Sequence, residues 1–215
     1  MSTVQTADHA DHSDLIEDLP YFGKATGGKI SMWMFIAQDG MSFGGLLFAY
    51  GVLRFTAPDW PVPAEILGIG LTAFATFLLI CSSLSMVFAV LAAQEKDQAG
   101  LVRWLAVTIM GGAAFLGIQV YEYTHLVHVG VGFSTTVWEG VQQNNLFGTT
   151  FYAVTGFHGL HVFSGVVYLC FILRGAIQGK YTQGGLSYSP VELVGLFWHF
   201  VDLVWILVFT FIYLL

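Results

Sequence analysis

Seven side chains able to hold or pass a proton are surrounded by hydrophobic sequence: Asp39, Glu122, His125, His158, His161, His199 and Asp202. Six of them fall into i,i+3 pairs, namely Glu122/His125, His158/His161 and His199/Asp202. On a helix, that spacing puts both members of a pair on one face. Three chemistries suit such groups. Histidines from two helices can be the axial ligands of a haem b, and His161 and His199 are the candidates for that role. No second such pair lies far along the same two stretches, which argues against two haems. A di-iron carboxylate bundle needs Glu-x-x-His from two helices plus two further glutamates. Only Glu122/His125 has that order, because His199/Asp202 runs the other way. The third reading is a buried polar network that fixes helix register while its groups satisfy one another away from lipid. Spacing alone leaves a single haem and the structural network open.

The elements that must position these groups follow from composition. The chain has 215 residues, is 56% hydrophobic and only 10% charged, with a mean hydropathy of +0.72. A soluble domain carries roughly 25% charged residues, so this is a membrane protein. A span needs about 20 mostly apolar residues. Five stretches qualify, about 30–55, 66–93, 101–128, 146–174 and 191–215. Pro58, Pro61 and Pro63 mark the first loop, Glu95 to Asp97 the second, Trp138 to Asn145 the third and Gly179 to Pro190 the fourth. The expected fold is all-α, a polytopic bundle of five transmembrane helices over residues 30–215 with no soluble domain. Asp39 then sits ~13 Å into the first span at 1.5 Å per residue. His158, His161, His199 and Asp202 fall near the middle of the last two spans, while Glu122, His125 and His128 lie towards the outer end of the third.

Charge sets an orientation. Lys24, Lys29, Lys96, Arg103, Arg174 and Lys180 fall on one side, and Arg54 alone on the other. Basic residues stay with the cytoplasm, so the N-terminus is expected inside and the C-terminus in the periplasm. Residues 1–29 hold Asp8, Asp11, Asp14, Glu17 and Asp18. That polar, acidic composition suits a disordered cytoplasmic tail, in which His9 and His12 read as solvated. The tail lacks the basic start, apolar run and small-residue cleavage site of a signal peptide. Cys81 and Cys170 form no motif and read as packing residues. Gly40/Gly44 and the group Gly111, Gly112 and Gly117 offer places for close helix approach.

The motifs carry a resemblance. "GTTFYAVTGFHGLHVFSGVVYL" (148–169) and "LFWHFVDLVWILVFTFIYLL" (196–215) resemble the last two helices of subunit III of the haem-copper terminal oxidases. "FLGIQVYEYTHL" (115–126) resembles the preceding helix, and "MWMFIAQDGMSFGGLLFAY" (32–50) the helix bearing that family's buried carboxylate. The similarity covers about residues 28–215 and suits the short bacterial form, which lacks the first two helices of longer members. It implies a chain with no haem and no metal of its own. It implies partners in the catalytic subunit I, which holds haems and copper, and in subunit II, with room for a small subunit IV and for bound phospholipids. The implied role is to stabilise the oxygen-reducing, proton-pumping complex and sustain its proton uptake in aerobic respiration. The motif positions Glu122, His158, His161, His199 and Asp202 are then structural groups. Asp39 stands where many members have glutamate, and the resemblance makes it a structural or proton-antenna group. Asp39 leans towards a quinol-oxidising parent complex and the "TGFHGLHV" context towards cytochrome c. The alternatives are a nitric oxide reductase-associated homologue and, from another class, an independent haem b electron carrier. Nothing in the chain suggests a nucleic-acid partner.

Overall fold

A computed structural model describes residues 27–57, 60–134, 137–138, 141–142, 144–182 and 189–215. The acidic tail therefore lies outside the described residues up to residue 26, whereas Gly27, Gly28 and Lys29 already belong to the first helix. In chain order the elements are α1 (Gly27–Thr56), the single turn α2 (Pro63–Ile66), α3 (Ile69–Gln94), α4 (Gln98–Val129), α5 (Asn145–Ile177) and α6 (Ser189–Val208). Phe209–Leu214 continues α6 as a π-helix. Between α4 and α5, the two-residue strands β1 (Val137–Trp138) and β2 (Val141–Gln142) pair antiparallel.

Local chemistry sets the helix ends. Pro63 opens α2, where its missing N–H costs nothing. Asp97 caps α4 by accepting from the Gly100 amide at 3.0 Å, and Asn144 caps α5 by accepting from Leu146 N at 3.0 Å. Gly130 ends α4 at φ +102°, a left-handed conformation that favours glycine, and its N–H returns to the Leu126 and Val127 carbonyls.

Among the described residues, four of the five long helices are long and apolar enough to cross a membrane: α3, α4, α5, and α6 with its π-helical extension. The first does not reach that level, although the sequence led us to expect five spans. Its 30 residues carry Lys29, Gln38, Asp39 and Arg54 and are diluted by glycines such as Gly40, Gly44, Gly45 and Gly51.

Short connections make successive long helices antiparallel. Gln98 at the start of α4 donates from Nε2 to the carbonyls of Ala176 and Ile177 at the end of α5. Lys29 and Glu192, at the starts of α1 and α6, pair at 2.7 Å. Arg54, at the far end of α1, donates to the Leu215 carbonyl. The directions therefore gather Lys29, Lys96, Arg103 and Arg174 at one end and leave Arg54 at the other.

The core is built around α6. Trp198 and Trp205 are almost completely buried. Trp198 donates to Ser82 Oγ at 3.1 Å and Trp205 to Thr76 Oγ1 at 2.9 Å. As α6 advances by seven residues its partner on α3 steps back by six, so the two helices run antiparallel in register. Glycines let helices close on these rings. A Cβ at Gly112 would lie 2.5 Å from Trp198 Cη2, and one at Gly111 would lie 2.6 Å from Ser82 Cβ. Gly44 and Gly117 have open space there instead, and Gly40 meets only the Phe200 ring at 3.7 Å, so the first GxxxG is not a tight seam within this chain. Cys81 and Cys170 are free thiols on exposed helix faces.

Candidate functional site

The intramembrane polar residues form three separate clusters. Their similar depth predicts a buried polar network between α5 and α6, whereas the clusters join α1 to α5 and α3 to α6.

The first cluster joins α1 to α5. Asp39 is buried on α1, and its Oδ2 lies 3.2 Å from His161 Nε2. His161 Nδ1 is 2.8 Å from the Phe157 carbonyl, one turn back on α5. A carbonyl only accepts, so Nδ1 carries a proton and donates. The Asp39–His161 approach is not aligned as a full hydrogen bond. Phe43 and Phe157 pack their rings against His161, with centroids at 5.1 and 4.6 Å. An aromatic wall of this kind shields the pair from lipid.

The second cluster joins α3 to α6. His199 Nδ1 and Ser83 Oγ lie 2.6 Å apart. Asp202, one turn further along α6, is buried beside Ser83, and its Oδ1 has no hydrogen-bond partner among the described residues. Ser83 and His199 are only half-buried, so this cluster opens to the outside of the bundle.

The third cluster ties the start of α3 and the end of α4 to the π-helix. Glu122 accepts from Thr72 Oγ1 at 2.9 Å and from Tyr213 OH at 2.8 Å, one donor for each carboxyl oxygen. All three residues are buried. A buried carboxyl needs such partners, because each unmet group costs the full loss of hydration. The π-helix sets where the Tyr213 ring falls along α6 and so completes the site.

Two of the three i,i+3 pairs separate in space, whereas His199 and Asp202 both meet Ser83. His158 is fully buried but makes no hydrogen bond among the described residues; it stacks on Trp205 at 4.8 Å and meets Phe115 edge-on. His125 is exposed and stacks with Tyr121, while its neighbour Glu122 faces inward; His128 is exposed too. Three residues turn a helix by about 300°, so pair members sit some 60° apart and can straddle the edge of the buried face.

The sequence reading missed the hydroxyl partners. Thr72, Thr76, Ser82, Ser83 and Ser85 line α3, and Ser85 meets Thr108 of α4 at 2.7 Å. The available signal was hydroxyl residues in an otherwise apolar helix facing a Trp198/Trp205 heptad. Tyr213 carried no signal of its own. Among the described residues no group of three or more His, Cys, Asp or Glu could hold a metal ion. The two haem-ligand candidates lie in different clusters, each with Nδ1 engaged, and His161 Nε2 is turned to Asp39.

A model of the family described as cytochrome c oxidase subunit III matches residues 22–215. The chain is 34% identical over 187 residues to cytochrome c oxidase subunit 3 of Thermostichus vulcanus, covering 86% of each. It is 37% identical over 181 residues to a probable cytochrome c oxidase subunit 3 of Nocardia farcinica, covering 84% of each. It is also 32% identical over 186 residues to cytochrome bo(3) ubiquinol oxidase subunit 3 of Pseudomonas putida, covering 86% of this chain and 84% of that protein.

Proposed function

The chain belongs to the cytochrome c oxidase subunit III family, and we propose that it is the accessory subunit of an oxidase that takes its electrons from cytochrome c. As subunit III of a haem-copper oxidase it is a multi-pass membrane protein that associates with the catalytic subunits. It performs no redox step itself. Haems and copper reside in the partners, and subunit II and a small subunit IV complete the complex. The first helix crosses the bilayer with the other four. The complex lies in a bacterial inner membrane with the N-terminus of this chain in the cytoplasm, a reading supported by the distribution of basic residues.

The observation that carries the reading is the family match over nearly the whole chain. The buried groups hold helix register. Glu122, Thr72 and Tyr213 fasten the outer end. Asp39 lies beside His161 near mid-membrane and serves as a proton antenna, not as a station on an obligatory path. Bound phospholipids cover the apolar faces left outside the complex.

Mass spectrometry of what co-purifies with a tagged copy in mild detergent tests this. The expected result is a large haem-copper subunit together with a subunit II that bears a Cys/His/Met copper site. A subunit II without that copper site would assign the complex to quinol. A chain isolated alone and coloured, with a reducible haem spectrum, would overturn the reading and return His161 and His199 as ligands.

A further inference from the structure

α1 and α3 both pack on α6, and between their inner ends they leave a furrow floored by α6. A cavity of ≈ 390 Å³ there is lined by Lys29 and Trp33 of α1, Leu91 of α3, and Glu192, Leu196 and His199 of α6. Trp33 and His199 stand six and ten residues into their helices, or ~9 and ~15 Å along them at 1.5 Å per residue. The cavity therefore reaches from the inner end of the bundle to about mid-depth in a hydrocarbon core ~30 Å thick. Its mouth is at the Lys29–Glu192 ion pair. The wall just inside the mouth is apolar and open, with Trp33 59% and Leu91 45% exposed.

The segment that precedes α1 joins it at this mouth. A Cβ at Gly28 would lie 3.1 Å from Leu193 Cδ1, so the chain enters α1 pressed against α6 beside Glu192. Upstream, the sequence is not uniformly polar: Leu19, Pro20, Tyr21 and Phe22 follow directly on Glu17 and Asp18. Phe22 and Tyr21 lie five and six residues before Gly27, within ~18 and ~22 Å of it at full extension. Both reach the mouth with chain to spare. So short a tether holds them there at an effective concentration on the order of millimolar. Aromatic side chains also favour this interfacial depth, where the ring is covered and a hydroxyl stays wet. Charge fits as well. Lys96 follows the inner end of α3, five residues past Leu91, and is exposed. It pairs with no carboxylate among the described residues, and Glu17 and Asp18 are its complement.

We propose that residues 17–22 of this chain fold back as a strap over the inner end of the furrow. The Tyr21 and Phe22 rings fill its mouth against Trp33 and Leu91, and Glu17 and Asp18 sit against Lys96. The backbone of the strap stays at the membrane surface, because acyl chains offer its N–H and C=O groups no partner. Only the rings enter. The strap covers the apolar wall and ties the inner ends of α1, α3 and α6 together. It lies within one chain and does not depend on the accessory-subunit reading above.

Photo-crosslinking of the whole chain in native membranes tests the strap. A benzoylphenylalanine probe replaces Phe22, and mass spectrometry of the digest shows what it captures. The expected partner is the peptide of the same chain that holds Leu91 or Leu196. Capture of phospholipid, of another protein, or of a second copy of this chain, seen as a dimer on a denaturing gel, overturns the proposal. A probe at Leu91 gives the reciprocal result. It is expected to capture the segment around residues 17–22 in the parent and phospholipid in the double variant Tyr21→Ser/Phe22→Ser. Equal capture of phospholipid in both would show that the rings do not fill the mouth. Lys96→Glu should lower the yield from the Phe22 probe about fivefold, the worth of one surface ion pair. An unchanged yield would overturn the contact assigned to Glu17 and Asp18.

Discussion

Adding one methyl group at Gly112 tests whether the Trp198 indole sets the spacing of the bundle. In Gly112→Ala the new Cβ would stand 2.5 Å from Trp198 Cη2 and 2.8 Å from Val166 Cγ2. Apolar carbons settle about 3.5–4.0 Å apart, so α4 must move outward by roughly 1 Å or the indole must yield. The indole has little room: the Gly165 backbone faces its other side, where a Cβ would be only 3.0 Å from Cε3 and Cζ3, and its Nε1 is held by Ser82. Overpacking a filled core costs about 1–3 kcal/mol, and the upper half of that range is expected here. Thermal unfolding of the purified complex in detergent, followed by loss of this chain on size exclusion, reads the effect. The double variant Gly112→Ala/Trp198→Phe removes the outer ring carbons that clash. It should be less destabilised than the sum of the single variants, with a coupling of roughly 0.5–3 kcal/mol. Gly117→Ala, with nothing within 4 Å of its Cβ, should stay within about 1 kcal/mol of the parent. A neutral Gly112→Ala, or strict additivity in the double variant, would refute the argument that Trp198 spaces these helices.

Tyr213→Phe leaves Glu122 Oε2 without its donor and should cost about 1–3 kcal/mol in the same unfolding assay, with much of the loss recovered by adding Glu122→Leu. Trp205→Phe and Thr76→Val remove opposite ends of one buried bond, so a double-mutant cycle should show a coupling of about 0.5–1.5 kcal/mol. Asp39→Ala should slow turnover of the assembled oxidase without abolishing turnover or proton pumping, measured by oxygen uptake and proton release from vesicles; complete loss would make Asp39 an obligatory transfer group. The chain purified without its partners should show no reducible haem absorption in the visible spectrum.

The helices were legible because bilayer thickness imposes a length that apolar runs display openly, and α3 to α6 follow those runs. The first helix was legible as a helix, but its glycines, Gln38 and Asp39 dilute its apolar run below that of the other four. Asp39, Glu122 and Asp202 stood out as buried carboxyls because charged residues are rare in such runs, and the structure buries all three. Their partners were hidden. Thr72 and Tyr213 lie 50 and 91 residues from Glu122, and Ser83 lies 116 residues from His199. Hydroxyls along α3 marked a polar stripe, but nothing in the sequence said which residue each would meet.

The amino-acid sequence by itself determined the membrane class, the helices, the basic end of the bundle and which side chains had to find partners. Tertiary structure alone decided the pairing. It joined Asp39 to His161, Glu122 to Tyr213 and Ser83 to His199, left His158 among aromatic rings and turned His125 outward. The reason is geometric: an i,i+3 spacing leaves two side chains some 60° apart on the helix, and only the packing of neighbouring helices decides where the edge between core and lipid falls.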